Sequence, residues 1–203
     1  DTPTLAIRRK KDASMTVGLK TLAQEDYDGF VSSGNTGALL VGASLIVKRI
    51  DGVQRCSLSP VLPTMIDGKG TILVDSGANV DCSPEMLRDF ALMGSAYMKS
   101  VCGIENPKVG LLNNGTEEEK GNSLTKLAYQ MLKETDINFV GNIESREMFT
   151  GDVDVIVADG FAGNIALKSA EGMGKVIFKM LKKYITEGGL RAKLGYLLLK
   201  PSL

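Results

Sequence analysis

The sequence predicts an α/β fold: a mostly parallel sheet flanked by helices. Short runs rich in Val, Ile and Leu recur along the chain, each followed at once by a turn of Gly, Asn, Asp or Ser. Helical patterns separate several of these runs. Parallel neighbours need long crossovers, so this alternation sets strands side by side with helices on the sheet faces. Loops leaving the carboxyl ends of such strands share one rim, the place where open α/β sheets bind ligands.

Five segments are expected as strand-then-turn: "DGFVSSGNTG" (28–37), "GTILVDSGAN" (70–79), "KVGLLNNGTE" (108–117), "INFVGNIE" (137–144) and "VDVIVADGFAGN" (153–164). Helices are expected over 84–98, 123–134 and 162–184. In the last of these Val176, Ile177, Met180, Leu181 and Tyr184 share a face while Lys175, Lys179, Lys182 and Lys183 decorate the rest. Gly188 and Gly189 are expected to stop it. A division follows, with an α/β catalytic core over 1–187 and an apolar, basic helical tip over 188–203. The tip holds Leu190, Leu194, Tyr196, Leu197, Leu198 and Leu199 beside Arg191, Lys193 and Lys200. Apolar side chains with purely basic decoration suit a membrane interface, and equally a helix pair packed on the body or on a second subunit.

Composition narrows the function classes. At 203 residues, 43% hydrophobic and 24% charged, the chain suits one globular core and not a disordered segment. Zero net charge argues against bulk nucleic-acid binding. Cys56, Cys82 and Cys102 have neither disulfide-framework nor zinc-knuckle spacing, which fits a reducing cytoplasm. No apolar run is long enough to span a bilayer, and no signal peptide is recognisable. The first residue is Asp1 and the last segment, "LLLKPSL", is an unfinished apolar run, so the chain is expected to be part of a longer one.

The loops carry the chemistry. In "SSGNTG" Ser33, Asn35, Thr36 and Gly37 stand at an expected helix start, where backbone N–H groups favour an anion; a plain Asn cap is the competing account. Asp75, Asn79 and Asp81 follow a buried strand and suit polar ligands or a metal, or else simple Asx turns. Asn113, Gly115, Glu117, Lys120 and Asn122 form the most unusual loop, although acids beside a helix start are usually a solvated capping turn. Asp159, Gly160 and Asn164 stand at another strand-to-helix junction, with Lys168 one helical turn beyond Asn164. Lys168 is placed either to neutralise an anion there or simply in solvent.

The chain has no histidine, which excludes a Ser-His-Asp or Cys-His arrangement and histidine-built metal sites within it. What remains is chemistry that needs positioning and charge stabilisation. Attack of inorganic phosphate on an acyl thioester qualifies, since the nucleophile is already anionic and thiolate leaves readily. The basic run Arg8, Arg9, Lys10 and Lys11 is either a docking patch for an acidic partner or a solvated turn.

Taken together, "RRKKDASM", "SSGNTGALL", "LPT", "LVDSGANVD", "GLLNNGTEEEKGN", "FVGNIE" and "DGFAGNIALKSAEG" resemble, in the same order, the phosphate acyltransferases that use acyl-acyl carrier protein. The resemblance covers nearly the whole chain. It implies transfer of a fatty acyl group from acyl carrier protein to orthophosphate, giving acyl phosphate for phospholipid synthesis. It also implies a fold related to the isocitrate and isopropylmalate dehydrogenases, a homodimer and peripheral contact with the cytoplasmic membrane. Neither a cofactor nor a metal is expected. Phosphate binding falls to the 33–37 turn and Lys168, and carbonyl polarisation to Lys120 and Asn164. The family's opening Asp-Ala-Met-Gly-Gly-Asp and closing Gly-Gly-Ala motifs are absent here. A coenzyme A-dependent transferase, a decarboxylating dehydrogenase and a non-catalytic acyl-carrier or membrane-binding module are the alternatives.

Overall fold

The computed structural model describes residues 2–24 and 27–200. They form two compact units, one reaching to Asn164 and the other starting at Ile165. The first opens with helices α1 (Pro3–Arg9), α2 (Ser14–Gln24) and α3 (Thr36–Gly42), the last continuing into a π-helical turn, Ala43–Val47. Ile7 and Leu19 bury themselves where Gly42 leaves room; a Cβ on Gly42 would lie 2.4 Å from Leu19 Cδ1.

Next come β1 (Val61–Pro63), β2 (Gly70–Val74), α4 (Pro84–Ser100), β3 (Lys108–Asn113), α5 (Ser123–Lys133), β4 (Asn138–Glu144) and β5 (Val155–Val157). A 3-10 turn, Ser145–Phe149, follows β4. The strands make one sheet in the order β1-β2-β5-β3-β4. β2, β5, β3 and β4 are mutually parallel, and only β1 runs antiparallel. This confirms the expected α/β class.

Strand alternation decides what each sheet face buries. Ile72 and Val74, Val155 and Val157, and Val109 and Leu111 share a core with Leu87 and Phe90 of α4 and with Ala128 and Leu132 of α5. Leu73 and Ile156, between them, are buried just as completely on the opposite side. Burial on both faces is why these strands read as continuous apolar runs. Gly94 brings α4 close to β5, since a Cβ there would lie 2.5 Å from Val155 Cγ1. At the amino ends of the strands buried Asp154 takes the Lys108 N–H at 2.8 Å and the Lys69 ammonium at 3.0 Å.

Both sheet edges are irregular. β1 is three residues long and ends on Pro63, which has no N–H to offer. β4 shifts register against β3 at Val109/Gly110, next to Gly141 at φ 100°.

One expected strand is absent. Residues 28–32 form no strand: Val31 is 97% exposed, and Phe30 packs over Gly18 of α2 instead of entering the sheet. With no neighbouring strand to pair with, Phe30 gains more from the helix, and Val31 is left in solvent. β1, which the sequence pattern did not reveal, is too short and too bracketed by Pro60 and Pro63 to announce itself.

The helices expected from periodicity appear as α4, α5 and α6 (Gly160–Glu187), and α6 stops before Gly188 as anticipated. α7 (Gly189–Leu199) opens on Gly189, which stands at φ 72°. α6 begins in the first unit and continues into the second. None of residues 165–200 is buried, and no described helix is long and apolar enough to cross a membrane.

Candidate functional site

The parallel strands send the loops after β2, β5, β3 and β4 to one rim. The β2 loop is organised around Asp75, whose carboxylate is fully buried. Its Oδ1 accepts from the backbone N–H groups of Ser76 (2.7 Å), Leu58 (2.8 Å), Ala78 (3.2 Å) and Gly77 (3.3 Å). Its Oδ2 accepts from the Asn79 backbone (2.7 Å) and side-chain amide (3.1 Å). That amide also donates to the Cys56 carbonyl at 2.8 Å. Asp75 therefore pins its own loop and fastens the 56–58 segment to it. A buried carboxylate is tolerated because these donors replace its hydration.

The start of α6 is pressed onto this loop. The Gly160 N–H donates to the Asn79 carbonyl at 2.7 Å. Any side chain on Gly163 would collide with the Asp75 carbonyl, only 1.9 Å from the position of a Cβ. Asp159 caps the helix by accepting the Ala162 N–H at 2.8 Å. Gly77, at φ 135°, faces the Asn164 side chain; a Cβ there would lie 3.5 Å from Asn164 Oδ1. Asp75, Asn79, Asp159, Gly160 and Asn164 thus meet in one place, while Asp81 stays exposed at the end of the loop. Between them, burial pushes the Cys82 thiol up to about 11; a hydrogen bond with the Gly160 backbone opposes this, and the charges of Asp159, Asp75 and Asp81 add to it.

The β3 loop is organised separately. Asn113 donates to the Lys120 carbonyl (3.2 Å) and accepts from the Asn114 N–H (2.9 Å), and the Lys120 N–H reaches the Glu117 carbonyl at 3.1 Å. Asn122 caps α5 through the Thr125 N–H at 2.9 Å. Gly115 is buried under the Lys120 stem, where a Cβ would lie 2.8 Å from Lys120 Cγ. Buried Asn142 of β4, which the loop motifs did not single out, donates to the Glu117 carbonyl at 2.8 Å and leaves its Oδ1 without a partner among the described residues. The Lys120 side chain is exposed. Glu118 spends its charge on Gln130 and Lys133, and those hydrogen bonds, with Gln130 first, hold its carboxyl below the usual range.

The 33–37 turn is a helix start, as expected: Asn35 Oδ1 accepts the Ala38 N–H at 2.9 Å, and Ser33 and Thr36 are exposed. Gly37 lies against Pro3 of α1. Lys168 belongs to the second unit, where its ammonium is 2.9 Å from both carboxylate oxygens of Glu171.

Beside the β2 loop lies a cavity of about 290 Å³ whose lining includes Arg8, Ser44, Arg49, Arg55, Cys56 and Asn79. Of these Arg8, Cys56 and Asn79 stand out in the sequence, Arg8 and Cys56 for other reasons. Arg49 and Arg55 sit in irregular chain, where no periodicity marks them. No group of three or more His, Cys, Asp or Glu able to hold a metal occurs among the described residues.

The fold is that of the phosphotransacetylases. A phosphotransacetylase from Streptococcus pyogenes superposes with a TM-score of 0.56 at 19% identity, covering 70% of this chain and 49% of that one. One from Staphylococcus aureus gives 0.51 at 21% identity, over 68% and 48%. The chain belongs to the family described as fatty acid synthesis protein, whose model matches residues 1–203. It is 51% identical to the phosphate acyltransferase of Clostridium acetobutylicum over 99% of its own length and 60% of that protein's. It is 51% identical to that of Bacillus licheniformis over 100% and 61%. The chain therefore spans about 60% of the curated relatives it matches.

Proposed function

We propose that the protein containing this chain transfers a fatty acyl group from acyl-acyl carrier protein to inorganic phosphate, giving acyl phosphate for phospholipid synthesis. The reading is carried by the 51% identity to phosphate acyltransferases across the chain. A rim built of amide, hydroxyl and backbone donors, in a chain without histidine, suits the chemistry. A phosphate oxygen attacks the thioester carbonyl carbon, the C=O electrons move onto oxygen, and collapse of the tetrahedral species expels the thiolate of the carrier arm. No strong base is needed; donors aimed at the developing oxyanion do most of the work.

Lys120 and Asn164 are assigned to that oxyanion, and the 33–37 turn to phosphate. The remaining loop residues, Asp75, Asn79 and Asp159 above all, hold the rim in shape. The tip over 188–203 is assigned to the cytoplasmic face of the membrane or to a homodimer contact. In an acyl-phosphate assay of the full-length protein with carrier-bound and coenzyme A thioesters, the carrier-bound donor is expected to be the better one. Lys120→Ala is expected to lower turnover about 10²-fold or more with little change in thermal midpoint. Normal turnover would remove Lys120 from the site, and preference for coenzyme A would replace the donor.

A further inference from the structure

The cavity beside the β2 loop has a composition that the rim chemistry leaves unused. Three guanidinium groups, Arg8 of α1, Arg49 just after the π-helical turn and Arg55, share its lining with no Asp or Glu. Neither Arg8 nor Arg55 makes an ion pair or side-chain hydrogen bond among the described residues. Arg49 donates to the Gln54 carbonyl, which draws the 49–55 loop together beside the opening. Like charges gathered without a counter-charge repel one another, and an anion between them removes the repulsion. Guanidinium groups present planar forks of donors that match phosphate oxygens.

From this we infer that the cleft binds a phosphate group. Its volume, about 290 Å³, is at the lower end of small-ligand pockets, so there is room for more than a bare anion. Leu40, Val41 and Leu45 give it an apolar wall suited to an organic arm attached to that phosphate. Asn79 belongs both to this lining and to the rim, and thus joins the cleft to the loop held by Asp75. An arm with its phosphate among the arginines enters the rim from beside the β2 loop. Resting on the acyl-transfer reading, the phosphate is the one in the phosphopantetheine arm that carries the thioester; orthophosphate is the other source of the same chemistry.

The test is isothermal titration of the full-length protein with phosphopantetheine, pantetheine and orthophosphate, using Arg8→Gln, Arg49→Gln and Arg55→Gln, with Lys99→Gln as the control. Each arginine variant is expected to weaken phosphopantetheine about tenfold or more, the loss of one charge-assisted contact, and to leave pantetheine unchanged. Equal weakening of orthophosphate supports the cleft with free phosphate as its source. Unchanged binding of both phosphate-bearing ligands overturns the inference. A second readout needs no variant: Cys56 lines the cleft, so S-methyl phosphopantetheine, which has no free thiol to consume the reagent, is expected to slow its alkylation in the wild type, and unslowed alkylation at saturation counts against the site. If the arginine variants lose binding while the full-length protein makes no acyl phosphate, the cleft stands and the proposed reaction falls.

Discussion

Asp75 is the residue whose environment says most about the site. Its carboxylate is surrounded by N–H donors from its own loop and from Leu58, so its removal leaves several buried donors unpaired at once. Asp75→Ala is expected to cost about 3 kcal/mol or more, because each hydrogen bond to a charged group contributes roughly 1.5–3 kcal/mol. Urea unfolding of the variant checks this, and a loss below 1 kcal/mol, roughly that of one neutral hydrogen bond, would mean that the loop holds itself without the carboxylate. A second expectation concerns the thiols. With its pKa raised to about 11, Cys82 carries very little thiolate at pH 8, and the fraction grows as pH rises towards that value. Alkylation followed by peptide mapping is expected to modify exposed Cys102 well before Cys82, with Cys82 catching up only under strongly alkaline conditions. Equal rates at pH 8 would contradict the burial of the thiol.

Elements differed in how legible they were. β2, β3 and β5 could be read directly, because burial on both faces writes an uninterrupted apolar run followed by a turn. α4 was equally plain, with Ser83 accepting the Met86 N–H just before Pro84. The 28–32 segment looked like a strand because local pattern does not encode partners; Phe30 found α2, and Val31 found solvent. The site showed the same division. Loop residues at strand ends could be listed in advance, whereas Arg49, Arg55 and Asn142 owe their positions to chain packing that no spacing records. At the other end of the chain, α7 exposes Leu190, Leu194, Leu197, Leu198 and Leu199 on a helix with Arg191 and Lys193. If this element meets anionic lipid, Leu194→Glu combined with Leu197→Glu and Leu198→Glu in the full-length protein is expected to abolish co-sedimentation with anionic vesicles, since each buried leucine is worth about 1.5–3 kcal/mol. Sedimentation unaffected by the changes assigns α7 to protein packing.

For the molecule as a whole, stability is concentrated in the first unit. All buried apolar side chains among the described residues precede Asp159, and none of residues 165–200 is buried. Hydrogen exchange of this chain is therefore expected to be slowest in Val155–Val157 and Gly70–Val74, and fast throughout α7. Limited trypsin digestion is expected to cut among Lys179, Lys182, Lys183 and Arg191 while the sheet survives. Protection of α7 equal to that of β5 would show that the second unit is stabilised by contacts other than those within this chain.

The irregular borders of the sheet bear on how copies of the chain meet. A bare strand margin templates another chain's backbone, which is how sheets polymerise into aggregates. Here one margin is a three-residue strand closed by an imino acid, and the other is kinked beside Gly141. Neither offers a straight ladder of free donors and acceptors for a neighbour to extend. Within these residues, self-association by continuing the sheet is disfavoured.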